Sequence, residues 1–256
     1  MVLRNYQTGT PQHKFYTEQH KTQTYEYVKQ KLAEFGIRPK VRMTMSSVLA
    51  KMDDFIDPSD PDTDNENSIH AYQTAERIRK EHPENKELQV CGLIHDLGKI
   101  LFSFGEPSIA VVGDTYVVGC EFPKSIVYYE TMQENPDSKH PIYSTRNGIY
   151  EERCGLENLT ITFGHDEYLY QVLQQCPDYP IRYKNIIRYH SLYPLHTGGD
   201  YQHFLNDTDE NIIQDVRFFN QYDLYSKVDT EFQLTDEIRK YYDELLTEFF
   251  NEPLDW

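Results

Sequence analysis

Ile94-His95-Asp96-Leu97-Gly98-Lys99 sets two adjacent ionisable groups inside an apolar helical pattern. Val90, Leu93, Ile94, Leu97, Leu101 and Phe104 share one face, which predicts a single helix from Leu88 to Phe104, ended by Gly105. Burying an imidazole beside a carboxylate is unfavourable unless something pairs with them. A transition-metal ion is the simplest partner, because neutral imidazole and carboxylate oxygen together suit one. The plainer alternative is a His and an Asp that satisfy each other and a backbone carbonyl. Lys99 follows His95 by four residues, so on a regular helix it reaches the same cavity.

Outward from this segment most periodic stretches also read as helices. Tyr25, Val28, Leu32 and Phe35 form one stripe that stops at Gly36, and Met45 to Ile56 forms another behind Thr44 as N-cap. The loop Asp57-Pro-Ser-Asp-Pro-Asp-Thr-Asp follows, and Ser68 is placed to cap the helix that carries His70. Val111, Val112, Val117 and Val118 allow one short hairpin at most. Helical patterns resume over Leu156–Gln175, Tyr183–Leu192, Glu210–Tyr225 and Thr235–Phe250. No stretch is rich enough in Pro, Gly or Ser to act as a linker. The expectation is a mainly α protein, one domain spanning 1–256, with about eight or nine helices.

Composition narrows the function. The 256 residues carry 25 Lys+Arg against 42 Asp+Glu, a net charge of −17, which argues against nucleic-acid or anionic-membrane binding. No apolar run has the length of a membrane span, and the N-terminal stretch lacks a signal-peptide core. Cys91, Cys120, Cys154 and Cys176 are far apart, which fits reduced thiols and a cytoplasmic location. The dinucleotide loop, the P-loop and the nucleophile elbow are all absent.

Other titratable residues join the His95-Asp96 pair. His70, His165 and His190 fall on separate segments, and Asp223 continues the apolar stripe Ile212, Val216, Phe219 of its own helix. A surface pair with Lys227 is the other reading of Asp223. Four histidines and two aspartates on separate helices suit a two-metal site in a bundle, and a donor set without thiolate favours iron or manganese over structural zinc.

These residues carry a resemblance. His70, His95-Asp96 and Asp223 match the H…HD…D pattern of the HD-domain metalloprotein superfamily. The chain further resembles the inositol oxygenase family in Arg4-Asn-Tyr, Ser59-Asp-Pro-Asp, Asn67-Ser-Ile-His-Ala-Tyr-Gln, Gly92-Leu-Ile-His-Asp-Leu-Gly-Lys and Ala110-Val-Val-Gly-Asp-Thr. Gly164-His-Asp-Glu-Tyr, His190-Ser-Leu-Tyr-Pro-Leu-His and Asp223-Leu-Tyr extend the likeness to nearly the whole chain.

The resemblance implies an HD-domain-like bundle with two iron ions, mixed-valent Fe(II)/Fe(III) in the active form. His70, His95, Asp96 and Asp223 would hold one iron, and His165 and His190 the other, with Asp96 bridging. Lys99 would ease deprotonation of a substrate hydroxyl. Substrate contacts map to Arg4, Asp57, Ser59, Asp60, Gly113, Asp114, His190, Ser191 and Lys227. The implied reaction is ring cleavage of myo-inositol by dioxygen to D-glucuronate and water, without external reductant; the acidic surface and the lack of a heptad seam make a monomer the expectation. Phe163 and Leu195 stand where the family carries tryptophan, which predicts packing changes only. His196 and His203 are expected to be ordinary residues.

Two other functions compete. An HD-type phosphohydrolase would need basic residues around the phosphoryl group, whereas these segments are acidic apart from Lys99, Arg4 and Lys227. A helical scaffold that had lost its chemistry should lack at least one ligand, and all six are present.

Overall fold

Ten α-helices carry the described part of the chain, which in this computed structural model comprises residues 8–37, 41–59, 67–226 and 232–256. They are α1 (Pro11–Thr22), α2 (Tyr25–Ile37), α3 (Met45–Leu49), α4 (Asn67–Glu81), α5 (Lys86–Ile94), α6 (His165–Leu173), α7 (Ile181–Tyr189), α8 (Tyr193–His196), α9 (Asp209–Ser226) and α10 (Asp236–Phe249). The mainly α expectation holds. No described helix is long and apolar enough to cross a membrane, and all four cysteines are free thiols.

The decisive departure lies at the opening segment. The predicted helix Leu88–Phe104 is two elements: α5 stops at Ile94, and a 3-10 helix runs from Leu97 to Phe104, where Gly105 ends it in the left-handed region at φ 85°. His95 and Asp96 occupy the break, with Asp96 at φ −95° and ψ −2°. The strap after the break packs tightly on α6. A Cβ on Gly98 would sit 2.1 Å from the carbonyl oxygen of His165, so only glycine lets this strap press against the start of α6. At α5 itself, a Cβ on Gly92 would lie 3.3 Å from the Ala75 backbone of α4, so glycine lets the helix bearing His70 pack close to the one preceding His95.

Other boundaries also shift. Thr44 does cap α3, accepting from Ser47 N at 3.2 Å, but that helix is five residues long and a 3-10 turn, Met52–Asp54, follows. Ser68 lies inside α4 rather than capping it; Asp53 takes its N–H and hydroxyl at 2.9 and 2.7 Å. Helix α2 passes Gly36 to reach Ile37. The stretch Leu156–Gln175 divides into a 3-10 turn at Leu156–Asn158 and α6. The valines of 111–118 form no hairpin: Val117 makes one antiparallel bridge to Ile161, and the two-stranded sheet pairs Arg42–Met43 with Leu254–Asp255.

Helix α1 has no counterpart in the sequence reading. Its buried residues are Tyr16, Gln19 and His20, too polar for an apolar stripe, although Thr10 capping His13 N and Pro11 in the first turn announce it locally. A buried ion pair fastens α6 to α7, Arg188 Nε to Glu167 at 2.6 Å, with Arg188 also donating to Tyr189 Oη at 3.0 Å.

Candidate metal centre

Five segments converge on one buried cluster. His70 from α4, His95 and Asp96 from the break, and Asp223 from α9 form its first part. His70 Nε2 lies 2.9 Å from Asp223 Oδ1, and His95 Nε2 lies 3.5 Å from the same oxygen and 3.6 Å from Asp96 Oδ2. Asp96 turns its other oxygen to the second part, with Oδ1 at 3.2 Å from His165 Nε2 and 3.7 Å from His190 Nε2. Donor atoms of His70, His95 and Asp96, and of Asp96, His165 and His190, each fall within 4.8 Å of one another. His95 is 1% exposed, and even His70, the most exposed of the four imidazoles, reaches only 12%.

The ring orientations follow from helix ends. His95 and His190 sit one position beyond α5 and α7, and each folds back so that Nδ1 donates to the carbonyl three residues earlier, Gly92 O and Ile187 O, both at 2.8 Å. These are carbonyls that a helix C-terminus leaves unsatisfied. His165, at the start of α6, meets Val111 O with both its backbone N–H and its Nδ1, each at 2.9 Å. With Nδ1 bound to backbone, Nε2 carries the lone pair and points inward, the arrangement of metal-ligating histidines. Four imidazoles, three of them oriented in this way, and two carboxylates, without a thiolate, fit hard or borderline divalent and trivalent metal ions.

Electrostatics agree with that fit. Burial alone would raise Asp96, but Lys99 and the surrounding histidines hold it well below the usual carboxylate range; His70 and His95 do the same for Asp223. Burial opposes charge on His165, yet Asp166 and Asp96 overcome it and push the imidazole up to about 10. A metal ligand must be neutral, so an ion bound here competes with protonation of this imidazole. Metal affinity at this site is therefore expected to rise with pH. Metal titrations at several pH values read this, and an affinity that does not rise with pH would contradict the assignment of His165.

Lys99 lies in the 3-10 strap rather than on a continuous helix, and still reaches the cluster: Nζ is 2.9 Å from Asp96 Oδ2 and 3.2 Å from Asp57 Oδ2. Burial disfavours its charge, but the two carboxylates raise it above the ordinary lysine value. Asp57 is itself held in an Asx turn, accepting from Ser59 N and Oγ at 2.9 and 2.6 Å. Ser191 donates to Asp166 Oδ1 at 3.1 Å. Gly113 and Asp114 form a turn against α1, with Gly113 at φ 112° and Gln19 bonding Val112 O, Asp114 O and Asp114 N. Arg4, Asp60 and Lys227 lie outside the described residues, so the Lys227 pairing weighed for Asp223 does too.

Three residues with no role assigned in the sequence belong to the site. Asp166 accepts from Thr115 Oγ1 at 2.8 Å and lies 3.0 Å from His165 Nε2 and 3.2 Å from His190 Nδ1, so it ties the turn after Asp114 to Ser191 and to both histidines. His196 Nε2 and Asn220 Nδ2 both meet His190 O, at 3.0 and 3.1 Å, which fixes the loop beyond α7. Phe163 and Leu195 are buried packing residues, and Phe163 stacks on Phe35 at 5.2 Å.

Fold and cluster together define a helical protein with a buried histidine–carboxylate centre of metal-binding composition. Comparison with known proteins narrows this class. The family described as myo-inositol oxygenase matches residues 11–256. The chain is 43% identical to inositol oxygenase of Sus scrofa over 259 residues, covering 99% of this chain and 92% of that protein. It is 41% identical to the probable inositol oxygenase of Oryza sativa subsp. japonica, covering 100% and 85%, and 42% identical to inositol oxygenase 4 of Arabidopsis thaliana, covering 94% and 77%. The chain belongs to the myo-inositol oxygenase family.

Proposed function

We propose that this chain, acting as one catalytic unit over 1–256, is a di-iron oxygenase that cleaves the ring of myo-inositol with dioxygen to give D-glucuronate and water. The observation that carries the reading is Asp96, whose two oxygens face two separate histidine sets while Lys99 contacts one of them. His70, His95, Asp96 and Asp223 hold one iron, and Asp96, His165 and His190 the other. Bound as a mixed-valent Fe(II)/Fe(III) pair, the metals supply Lewis-acid activation of a substrate hydroxyl and one-electron chemistry with dioxygen.

The remaining work falls to side chains. Lys99, kept cationic between Asp96 and Asp57, stabilises negative charge as a substrate hydroxyl loses its proton. Asp57, Ser59, Asp60 and Asp114 offer acceptors to the other hydroxyls of a polyol, and Arg4, Gly113, His190, Ser191 and Lys227 complete the contacts. Asp166 holds Ser191 and Thr115 in register with the metal-binding histidines. No external reductant is needed, because the substrate provides all four electrons that reduce dioxygen. The protein works as a cytoplasmic monomer. The phosphohydrolase reading finds no support in the family.

The test is dioxygen uptake by iron-loaded, partly reduced protein on addition of myo-inositol, with glucuronate assayed in the same vessel. The expected result is one glucuronate formed for each dioxygen consumed. No uptake by folded, iron-containing protein would overturn the proposal.

A further inference from the structure

Helix α1 brings a second, smaller set of buried polar groups to the turn at Gly113–Asp114. Gln19 braces its backbone, and the neighbouring His20 faces its carboxyl group, with Nε2 4.0 Å from Asp114 Oδ2 and side-chain exposures of 0% and 6%. Neither atom has a hydrogen-bond partner.

The tautomer of His20 follows from its other side. Thr131 spends its hydroxyl hydrogen on Tyr128 O at 2.9 Å, so its contact with His20 Nδ1 at 2.7 Å must be Nδ1–H donating to Oγ1. Nε2 is then a lone pair, and burial, which lowers this imidazole to about 3, keeps it neutral. Two buried acceptors therefore face each other, an arrangement that is unfavourable until a hydrogen lies between them.

We propose that His20 is a positioning residue of the substrate site, whose Nε2 shares one hydrogen with Asp114 Oδ2 and so fixes the carboxyl group against α1, leaving its other oxygen to a substrate hydroxyl. Closing the 4.0 Å gap by about 1.2 Å gives an ordinary hydrogen bond once the carboxyl is protonated. Burial raises Asp114 to about 7, although the Val127 and Thr115 backbone N–H groups favour its anion, so that proton is available near neutrality. The inference rests on the reading of Asp114 as a substrate contact.

The test compares His20→Leu, His20→Gln and Asp114→Asn in the iron-loaded protein, reading kcat and KM for myo-inositol, its affinity by calorimetry, and iron content. His20→Leu removes the acceptor and is expected to raise KM and Kd about tenfold, with kcat within about twofold and iron unchanged. His20→Gln, whose amide oxygen restores an acceptor, should recover most of that loss. An unchanged KM in His20→Leu while Asp114→Asn weakens binding overturns the role of His20 alone. An unchanged KM in Asp114→Asn overturns the substrate-contact reading and this inference with it. Equal losses in the Leu and Gln variants would also overturn it, because packing rather than hydrogen bonding would then be the cause.

Discussion

Asp96→Ala is expected to lose metal from both parts of the centre, whereas His165→Ala loses it only from the second. The reason is the split contact: Asp96 Oδ2 faces His95 and Lys99, and Oδ1 faces His165 and His190. No other side chain among the described residues belongs to both candidate metal-binding groups. Removing it also leaves Lys99, among the described residues, with Asp57 as its one remaining carboxylate at ion-pair distance. Turnover in Asp96→Ala should fall at least a thousandfold, about 4 kcal/mol of transition-state stabilisation. Metal analysis of the two variants checks the distinction directly. Full retention of iron in Asp96→Ala would contradict the shared position, and full turnover in His165→Ala would contradict the second ligand set.

Gly98→Ala should damage the centre without touching a ligand. The added methyl group would lie 2.1 Å from His165 O and 2.8 Å from His165 Cα, and backbone cannot step aside as a side chain can. Overpacking of this kind costs about 3 kcal/mol, roughly 6–12 °C in melting temperature for a chain of this size. Relief by moving the start of α6 would also draw His165 away from Asp96. Gly92→Ala is the comparison: its worst contact is the mobile tip of Ile78 at 2.7 Å, so a smaller loss is expected. Urea unfolding of both metal-free variants measures the difference, and equal losses would show that the close approach at His165 is not the cause.

The elements legible in sequence are those with an apolar face, and α4, α5, α7, α9 and α10 all appear near their predicted positions. Helix α1 escaped because the side it buries is carried by Gln19 and His20 as well as Tyr16. The break at His95-Asp96 escaped for another reason. Apolar residues continue on both sides, and over a single turn the i, i+3 spacing of an α-helix and of a 3-10 helix cannot be told apart. The residue types of the centre were readable as a pattern, yet His70 and Asp223, 2.9 Å apart in space, stand far apart in the chain. Asp166 shows the limit most plainly, since its importance lies in which atoms it touches.

The central claim is a two-iron centre joined through Asp96. Iron counted per chain, together with electron paramagnetic resonance of the one-electron-reduced protein, tests it most directly. Two irons per chain with a spin-coupled signal from the pair is the predicted result. A single iron, or two that give the signals of isolated ions, would contradict it.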